Sequence, residues 1–439
     1  RISLEHKGGE IFSLVANLNP AAPLVKQISV PAGAQSQELS LVVRDASHNV
    51  ILLYSPQVQK EPPSPEELDK LAATEPSAPE EIDNTDELYF TGLHLEQYRH
   101  ATRCPSAWWR EALRRDPGDA RCNLALGRWH LRRGEWKLAE THFRTSLERQ
   151  TLRNPNPHDG ETLYQLGRTL VFLQREREAY GYFYKATWNQ AWAAAAFLAL
   201  ARLNCRLRNW EQALVHIDKT LRLNADSLTA WTLKILLLRK LSKEVEADSL
   251  IEASMAIDPL DALLRHLAGL DWRGDNGILL DVAFDLSKAG LFEEALELLN
   301  KAYSEAVDGT LPIIHYTRAW LHDQNQQPEA AEDARRQARQ APSHYCFPSR
   351  LEEIIVLDAA IAAHPADARA HLLLGFLLYD RRRHEEAINH WETASRNEPD
   401  NSILWRCLGI GYFNVLQDAR KARSAFEKAR SIAPNDARL

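Results

Sequence analysis

Residues 160–225 read GETLYQLGRTLVFLQREREAYGYFYKATWNQAWAAAAFLALARLNCRLRNWEQALVHIDKTLRLNA, and their pattern of small and large side chains recurs after 34 positions. Ala179 is followed by Phe183 and Ala186; Ala213, 34 residues further on, is followed by Ile217 and Thr220. Leu166-Gly167 returns as Leu200-Ala201. Spacings of three and four place these residues on one face of a helix. A period of this length marks helix–turn–helix units that bury their apolar faces by stacking on one another. Gly or Ala at the contact positions lets two helices approach, and the large residues fill the groove between neighbours.

The register extends in both directions. A unit starting at Ala120 places Asn123, Leu126-Gly127, His130, Ala139, Phe143 and Ser146 at equivalent positions. Gly160 places Leu163, Leu166-Gly167, Leu170, Ala179, Phe183 and Ala186, and starts at Ala194 and Leu228 carry the pattern to Pro259. An earlier degenerate unit from Asp86 supplies Tyr89, Trp109, Ala112 and Pro117. Asn276 starts one with Leu279, Ala283, Ala295, Leu299 and Ala302, a weaker one runs from about Leu311 to Pro342, and Arg350 to Pro365 reads as an isolated helix. Two clear units close the array: His371, Leu374-Gly375, Ala387, Trp391, Ala394 and Pro399, then Trp405, Leu408-Gly409, Tyr412, Ala422, Phe426, Ala429 and Pro434 with one inserted residue. The spacing predicts about eight helix pairs in a mainly α, right-handed solenoid over residues 86–439, interrupted at 154–159, 260–275 and 343–349.

The first 55 residues differ. IFSLVANL, LVKQISV, ELSLVVRD and NVILLYS are short runs of Val, Ile and Leu separated by the turn-prone HKGG, NPAAP, PAGAQ and DASHN. They predict a small antiparallel β segment, with Asp45 to Asn49 as a hairpin loop, belonging to the last part of a β-sandwich. Residues 56–85 form a linker rich in proline and acid, including Pro56, Pro62, Pro63, Pro65, Glu66, Glu67 and Asp69. Ser64 to Ala73 reads as one short helix within it, with Ser64 as cap and Pro65 in the first position.

Composition narrows the function. A net charge of −7 over 439 residues argues against bulk attraction to nucleic acid. Five scattered cysteines without a CxxC pair fit a reducing, cytoplasmic setting better than a disulfide framework or a zinc site. No apolar run is long enough for a membrane span. The chain starts at Arg1 and its one methionine is Met255, so it is expected to be a piece of something longer. HEEAINH (His384 to His390) spaces its histidines six apart where a zinc-protease helix needs four, so no metal is expected there. No phosphate loop or GxSxG is present, and no cofactor is expected.

The repeat pattern places residues 86–439 in the tetratricopeptide superfamily by resemblance. The whole chain also resembles the C-terminal part of large bacterial proteins in which a galactose-mutarotase-like β-sandwich precedes such an array. DELYFTGLHLEQYRHATRCPSAWWREALRRDPGDARCNLALG (Asp86 to Gly127), RNPNPHDGETLYQLGRTL (Arg153 to Leu170), YFYKATWNQAW (Tyr182 to Trp192) and LRLNADSLTAWTLKILLLRKL (Leu221 to Leu241) carry this resemblance. It implies carbohydrate recognition upstream and gives no catalytic residue to this chain.

Two groups of residues stand outside the packing pattern. Position 9 of the first helices holds Arg128, Arg168 and Arg202, and position 13 holds Arg132, Arg206 and Lys240, with Arg121 and Arg239 on the same face. Stacking would align them into a basic ladder for an acidic peptide, an anionic ligand or the acidic linker itself. The competing reading is solvated or paired arginines, since Glu161, Glu176 and Glu178 are close in sequence. The Lys and Asn of a chaperone-tail carboxylate clamp are replaced by Leu124 and Arg128, which disfavours that role. The second group is Tyr180, Tyr182, Tyr184, Trp188 and Trp192, read either as a surface for sugars or proteins or as packing against a neighbouring loop. The expected function is a non-enzymatic scaffold that binds a partner protein or self-associates. The alternative is the accessory part of a carbohydrate-active or sugar-binding protein, with any activity upstream.

Overall fold

The computed structural model describes residues 1–18, 24–56, 75–272, 274–302, 309–342 and 344–436. The helix expected over Ser64 to Ala73 lies outside them. The chain divides into two units, Arg1–Ser77 with Asp258–Leu260, and Ala78–Ile257 with Asp261–Leu439.

The first unit holds a four-stranded antiparallel sheet in the order β2-β1-β3-β4, built from β1 (Ile2–His6), β2 (Gly9–Leu14), β3 (Leu39–Arg44) and β4 (Val50–Tyr54). The hairpin at Asp45 forms as expected: its carboxylate accepts the backbone N–H groups of Ser47 and Asn49. Two sequence expectations differ from the structure. Leu24 to Val30 joins no ladder, and Val25 faces solvent. The strand Ile2–His6, absent from the sequence expectation, is central, pairing with both β2 and β3. Its Ser3 is buried, so its alternation is weaker than that of its neighbours.

The second unit contains twenty α-helices among the described residues, most of them in hairpins. The first five hairpins are α1 (Thr85–Gln97) with α2 (Ser106–Arg115), α3 (Ala120–Arg132) with α4 (Trp136–Thr151), α5 (Glu161–Phe172) with α6 (Glu176–Ala186), α7 (Gln190–Arg206) with α8 (Trp210–Leu223), and α9 (Leu228–Lys240) with α10 (Glu244–Met255). A short helix α11 (Ala262–Leu267) lies inside the interruption expected at 260–275. Then follow α12 (Asn276–Lys288) with α13 (Phe292–Leu299), α14 (Leu311–Gln324) with α15 (Pro328–Gln340), the single helix α16 (Leu351–Ala363), α17 (Ala368–Asp380) with α18 (His384–Asn397), and α19 (Ser402–Asn414) with α20 (Ala419–Ile432). That makes nine hairpins beside the two single helices.

Local chemistry repeats with the hairpins. Asn84, Asp119, Asn189, Asp367, Asn401 and Asp418 cap first-turn N–H groups with their side chains. In four of the hairpins the glycine of the first helix receives the aromatic ring of the second: Phe143 lies against Gly127, Phe183 against Gly167, Trp391 against Gly375 and Phe426 against Gly409. A Cβ at Gly127 would stand 2.5 Å from the Phe143 ring, closer than any real contact. Ala139, Ala179, Ala213, Ala387 and Ala422 are fully or nearly fully buried at the matching position of the second helix. A continuous apolar core runs from Ala201 to Ala425.

The helix α16 breaks the nearest-neighbour scheme. It packs on α14 and α17. At its N-terminus Arg350 donates to the Asp281 carboxylate (2.5 Å) and to the Gly277 carbonyl (2.9 Å) of α12. Glu352 reaches Lys288 at the other end of α12 (3.2 Å). Ile354, Val356 and Leu357 are buried, and Ile354 lies against Gly134 in the turn between α3 and α4. That turn is held a second time: Arg383, in the turn between α17 and α18, donates to the carbonyls of Arg133 (3.3 Å) and Gly134 (3.4 Å). Beside it the Arg382 guanidinium lies over the Trp129 ring. The first helices of distant hairpins therefore converge on one inner side.

Candidate functional site

The inner side contains a cavity of about 510 Å³. Tyr164, Arg168 and Phe172 of α5, Arg202 and Arg206 of α7, Lys288 of α12, Trp320 of α14 and Glu352 of α16 are among its lining residues. Its size is that of a pocket for a small ligand or a few side chains. Arg168 and Arg202, each at position 9 of a first helix, both line it.

The structure shows what each cation of the ladder meets. Arg121 pairs with Asp86 (2.5 Å) and Asp119 (3.1 Å). Arg128 is held between Glu96 (2.6 Å) and Glu161 (3.2 Å), and Arg132 also reaches Glu96. Burial pulls the Arg128 pKa down, but Glu96 and Glu161 outweigh it and raise the net value. Arg202 pairs with Asp285 (3.3 Å), Arg206 with Glu176 (2.6 Å), Arg239 with Asp248 (3.4 Å) and Lys240 with Glu294. Arg168 is the exception: its guanidinium donates to the Gln165 side-chain oxygen (3.1 Å), and no ion pair joins it to a carboxylate among the described residues. Lys288, Trp320, Gln324 and Glu352 also line the cavity and were not singled out in the sequence. They lie on α12, α14 and α16, where the repeat register is least regular, and spacing gives no sign that they meet α5 and α7.

The aromatic group divides. Tyr180 contacts the His216 ring nitrogen through its hydroxyl (3.4 Å). Tyr182 accepts a hydrogen bond from Arg144 (3.0 Å) and lies beneath that guanidinium. Trp192 donates to Asp159 (3.0 Å) and stacks on Tyr164 at 5.1 Å, while Asn189 donates to the His158 carbonyl (2.8 Å). These contacts dock the 154–159 loop. Tyr184 and Trp188 remain, two exposed rings edge-on at 6.2 Å.

The residues of HEEAINH take separate places: His384 lies on the Tyr379 ring, and His390 meets His371 with 2.8 Å between their Nδ1 atoms. None of the five cysteines is in a disulfide. Among the described residues no group of three His, Cys, Asp or Glu side chains is placed to hold a metal, and no helix is long and apolar enough to cross a membrane.

Comparison with known proteins supports the repeat reading. Residues 356–392 and 375–437 match the tetratricopeptide repeat family, and residues 1–54 match the family described as YphG-like protein, second domain. The chain is similar to the solved structure of YrrB, a TPR protein with an unusual peptide-binding site, at 17% identity, over 44% of this chain and 95% of that one, with a TM-score of 0.37. It is similar to a tetratricopeptide repeat protein from Parabacteroides merdae at 16% identity, over 67% of this chain and 98% of that one, with a TM-score of 0.32. Human IFIT1, solved as a dimer with m7Gppp-AAAA, is similar at 16% identity, over 80% of this chain and 73% of that one, with a TM-score of 0.34.

Proposed function

We propose that the chain is a protein-interaction scaffold whose inner cavity receives an acidic side chain of a partner protein, with Arg168 as the anchor. Tetratricopeptide repeats support the interaction role in general. The observation that carries the finer reading is Arg168 itself, the one ladder cation given no carboxylate partner among the described residues, facing a cavity beside Tyr164, Phe172 and Trp320. A guanidinium fork suits a carboxylate, and the aromatic wall lowers the local dielectric around the pair. Arg202, Arg206 and Lys288 add positive potential, although each already holds a carboxylate.

The test is binding of a fluorescein-labelled oligoglutamate peptide to the full chain, read by anisotropy. Arg168→Glu is expected to weaken binding about tenfold or more, since a charge-assisted hydrogen bond contributes roughly 1.5–3 kcal/mol. Equal affinity of the two proteins would remove the anchor role.

The accessory role beside a carbohydrate-handling domain rests on Tyr184 and Trp188, whose exposed rings offer a stacking face for a sugar. Trp188→Ala should abolish any signal on a glycan array, and a signal that survives the substitution sets this second reading aside. The boundaries at residues 55 and 85 belong to the same proposal, with the sheet and the solenoid as separately built parts joined by the acidic linker.

A further inference from the structure

Among the described residues β4 is an edge strand, paired with β3 alone. Its five residues, Val50, Ile51, Leu52, Leu53 and Tyr54, are all apolar in body and all 50–66% exposed. A half-buried strand alternates polar and apolar residues; one without alternation fits burial on both faces. The sheet's other edge is different. β2 carries Glu10, held by Arg1, whose guanidinium also reaches Ser13. Such charges discourage pairing with a further strand, whereas β4 has no charge and no proline. The one irregularity of its ladder falls at Ile51, which is left without a partner because Val43 pairs with Leu52 and Arg44 with Val50, while Leu52 to Tyr54 stay in regular register with β3. Within the described part of the sheet only Ser3 and Val42 are buried, which is little cover for four strands.

We propose that β4 is an interface for a second copy of this chain, pairing antiparallel with β4 of that copy about a two-fold axis through Leu52. The sequence is self-complementary in that register. Val50 stands opposite Tyr54 of the second copy, Ile51 opposite Leu53, and Leu52 opposite Leu52. Aromatic–β-branched and aliphatic pairs are the favourable cross-strand combinations, and no like charges are brought together. Asn49 and Ser55 flank the strand with neutral polar groups, so the ends of the pairing are also free of repulsion. An isologous two-fold contact closes on itself and uses up the exposed edge in both copies. It joins two four-stranded sheets into one of eight. The interface lies in the sheet and is independent of Arg168 and the inner cavity.

The experiment uses the full chain. Light scattering coupled to size exclusion should give the mass of two chains. Leu52→Lys places two ammonium groups opposite each other on the axis, and the mass should halve while the helical circular dichroism stays unchanged. A second measurement does not depend on that variant folding. In a Cys104→Ser background, Leu52→Cys should form an intermolecular disulfide on mild oxidation, because directly opposed residues lie about 4.5–5.5 Å apart between Cα atoms, within disulfide reach. Val50→Cys, opposite Tyr54 of the second copy, should not. A single-chain mass for the unmodified protein, a dimer that survives Leu52→Lys, or cross-linking at Val50 rather than Leu52 would each overturn the proposal.

Discussion

Trp391→Ala is expected to lower the stability of the C-terminal hairpins by about 3–5 kcal/mol, the range for truncating a fully packed aromatic side chain. Trp391 is 3% exposed and belongs to the long core that spans Ala201 to Ala425. Its ring stacks on Tyr379 at 5.3 Å, meets Phe376 edge-on at 6.0 Å, and donates through Nε1 to the Leu372 carbonyl (3.3 Å). It also fills the space that Gly375 leaves on α17, so alanine would open a cavity no neighbouring side chain occupies. Denaturant unfolding followed by circular dichroism reads the change. Trp188→Ala, on an exposed ring, should stay within about 0.5 kcal/mol and serves as the comparison. A loss below about 1 kcal/mol at Trp391 would mean that α17 and α18 close over the gap.

The second large effect is with pH. His142 on α4 and His390 on α18 occupy the same place in their hairpins. Burial pushes both pKa values down to about 4, reinforced at His142 by His130 and Arg110, and at His390 by His371 and Arg383 against the opposing pull of Glu386. His142 also donates through Nδ1 to the Asn123 side-chain oxygen (2.9 Å). The unfolded chain, with histidine near 6.5, takes up protons first as pH falls. Stability contributed by these two rings is therefore complete above about pH 6.5 and lost as pH drops towards 4, by roughly 2–3 kcal/mol per histidine. Glu135 works over a different window. Burial raises its pKa, but hydrogen bonds from His130 and Arg133 prevail and hold it at about 2, so its contribution is lost only as pH falls below 4.5. Denaturation midpoints measured at pH 7.5 and pH 5 should differ markedly, and His142→Gln with His390→Gln should reduce that difference, the remainder coming from His216, His266, His315 and His384, whose pKa values burial also lowers. A double variant with the unchanged slope would show that the sensitivity comes from elsewhere.

The hairpin interiors were legible because their partners are local. Gly167 and Phe183, or Gly375 and Trp391, lie sixteen residues apart in a fixed pattern, and the caps at Asn84, Asp119 and Asp367 stand one residue before their helices. The face of the basic ladder was legible for the same reason. Of its partners Glu161 and Glu176 were legible, being close in sequence, but the others were not: Asp285 is 83 residues from Arg202, and Glu96 precedes Arg128 by 32. The isolated helix at Arg350 to Pro365 was visible, but LEEIIVLDAAIAA is apolar around most of its circumference and so does not say which surfaces it touches. β1 was missed because Ser3 takes a buried place that alternation assigns to an apolar residue.

The junction of Arg383 with the Arg133 and Gly134 carbonyls, and of Arg382 with Trp129, has a mechanical consequence. An open helical-repeat array extends under load like a soft spring, because each unit touches only the next. Here a latch spans about 250 residues of chain, so tension applied at the two ends bears first on this contact and on the seating of α16. Below the force that opens the latch the coil between these turns is stiff; above it the coil lengthens at once, giving a single early step in a force–extension trace before any hairpin unravels.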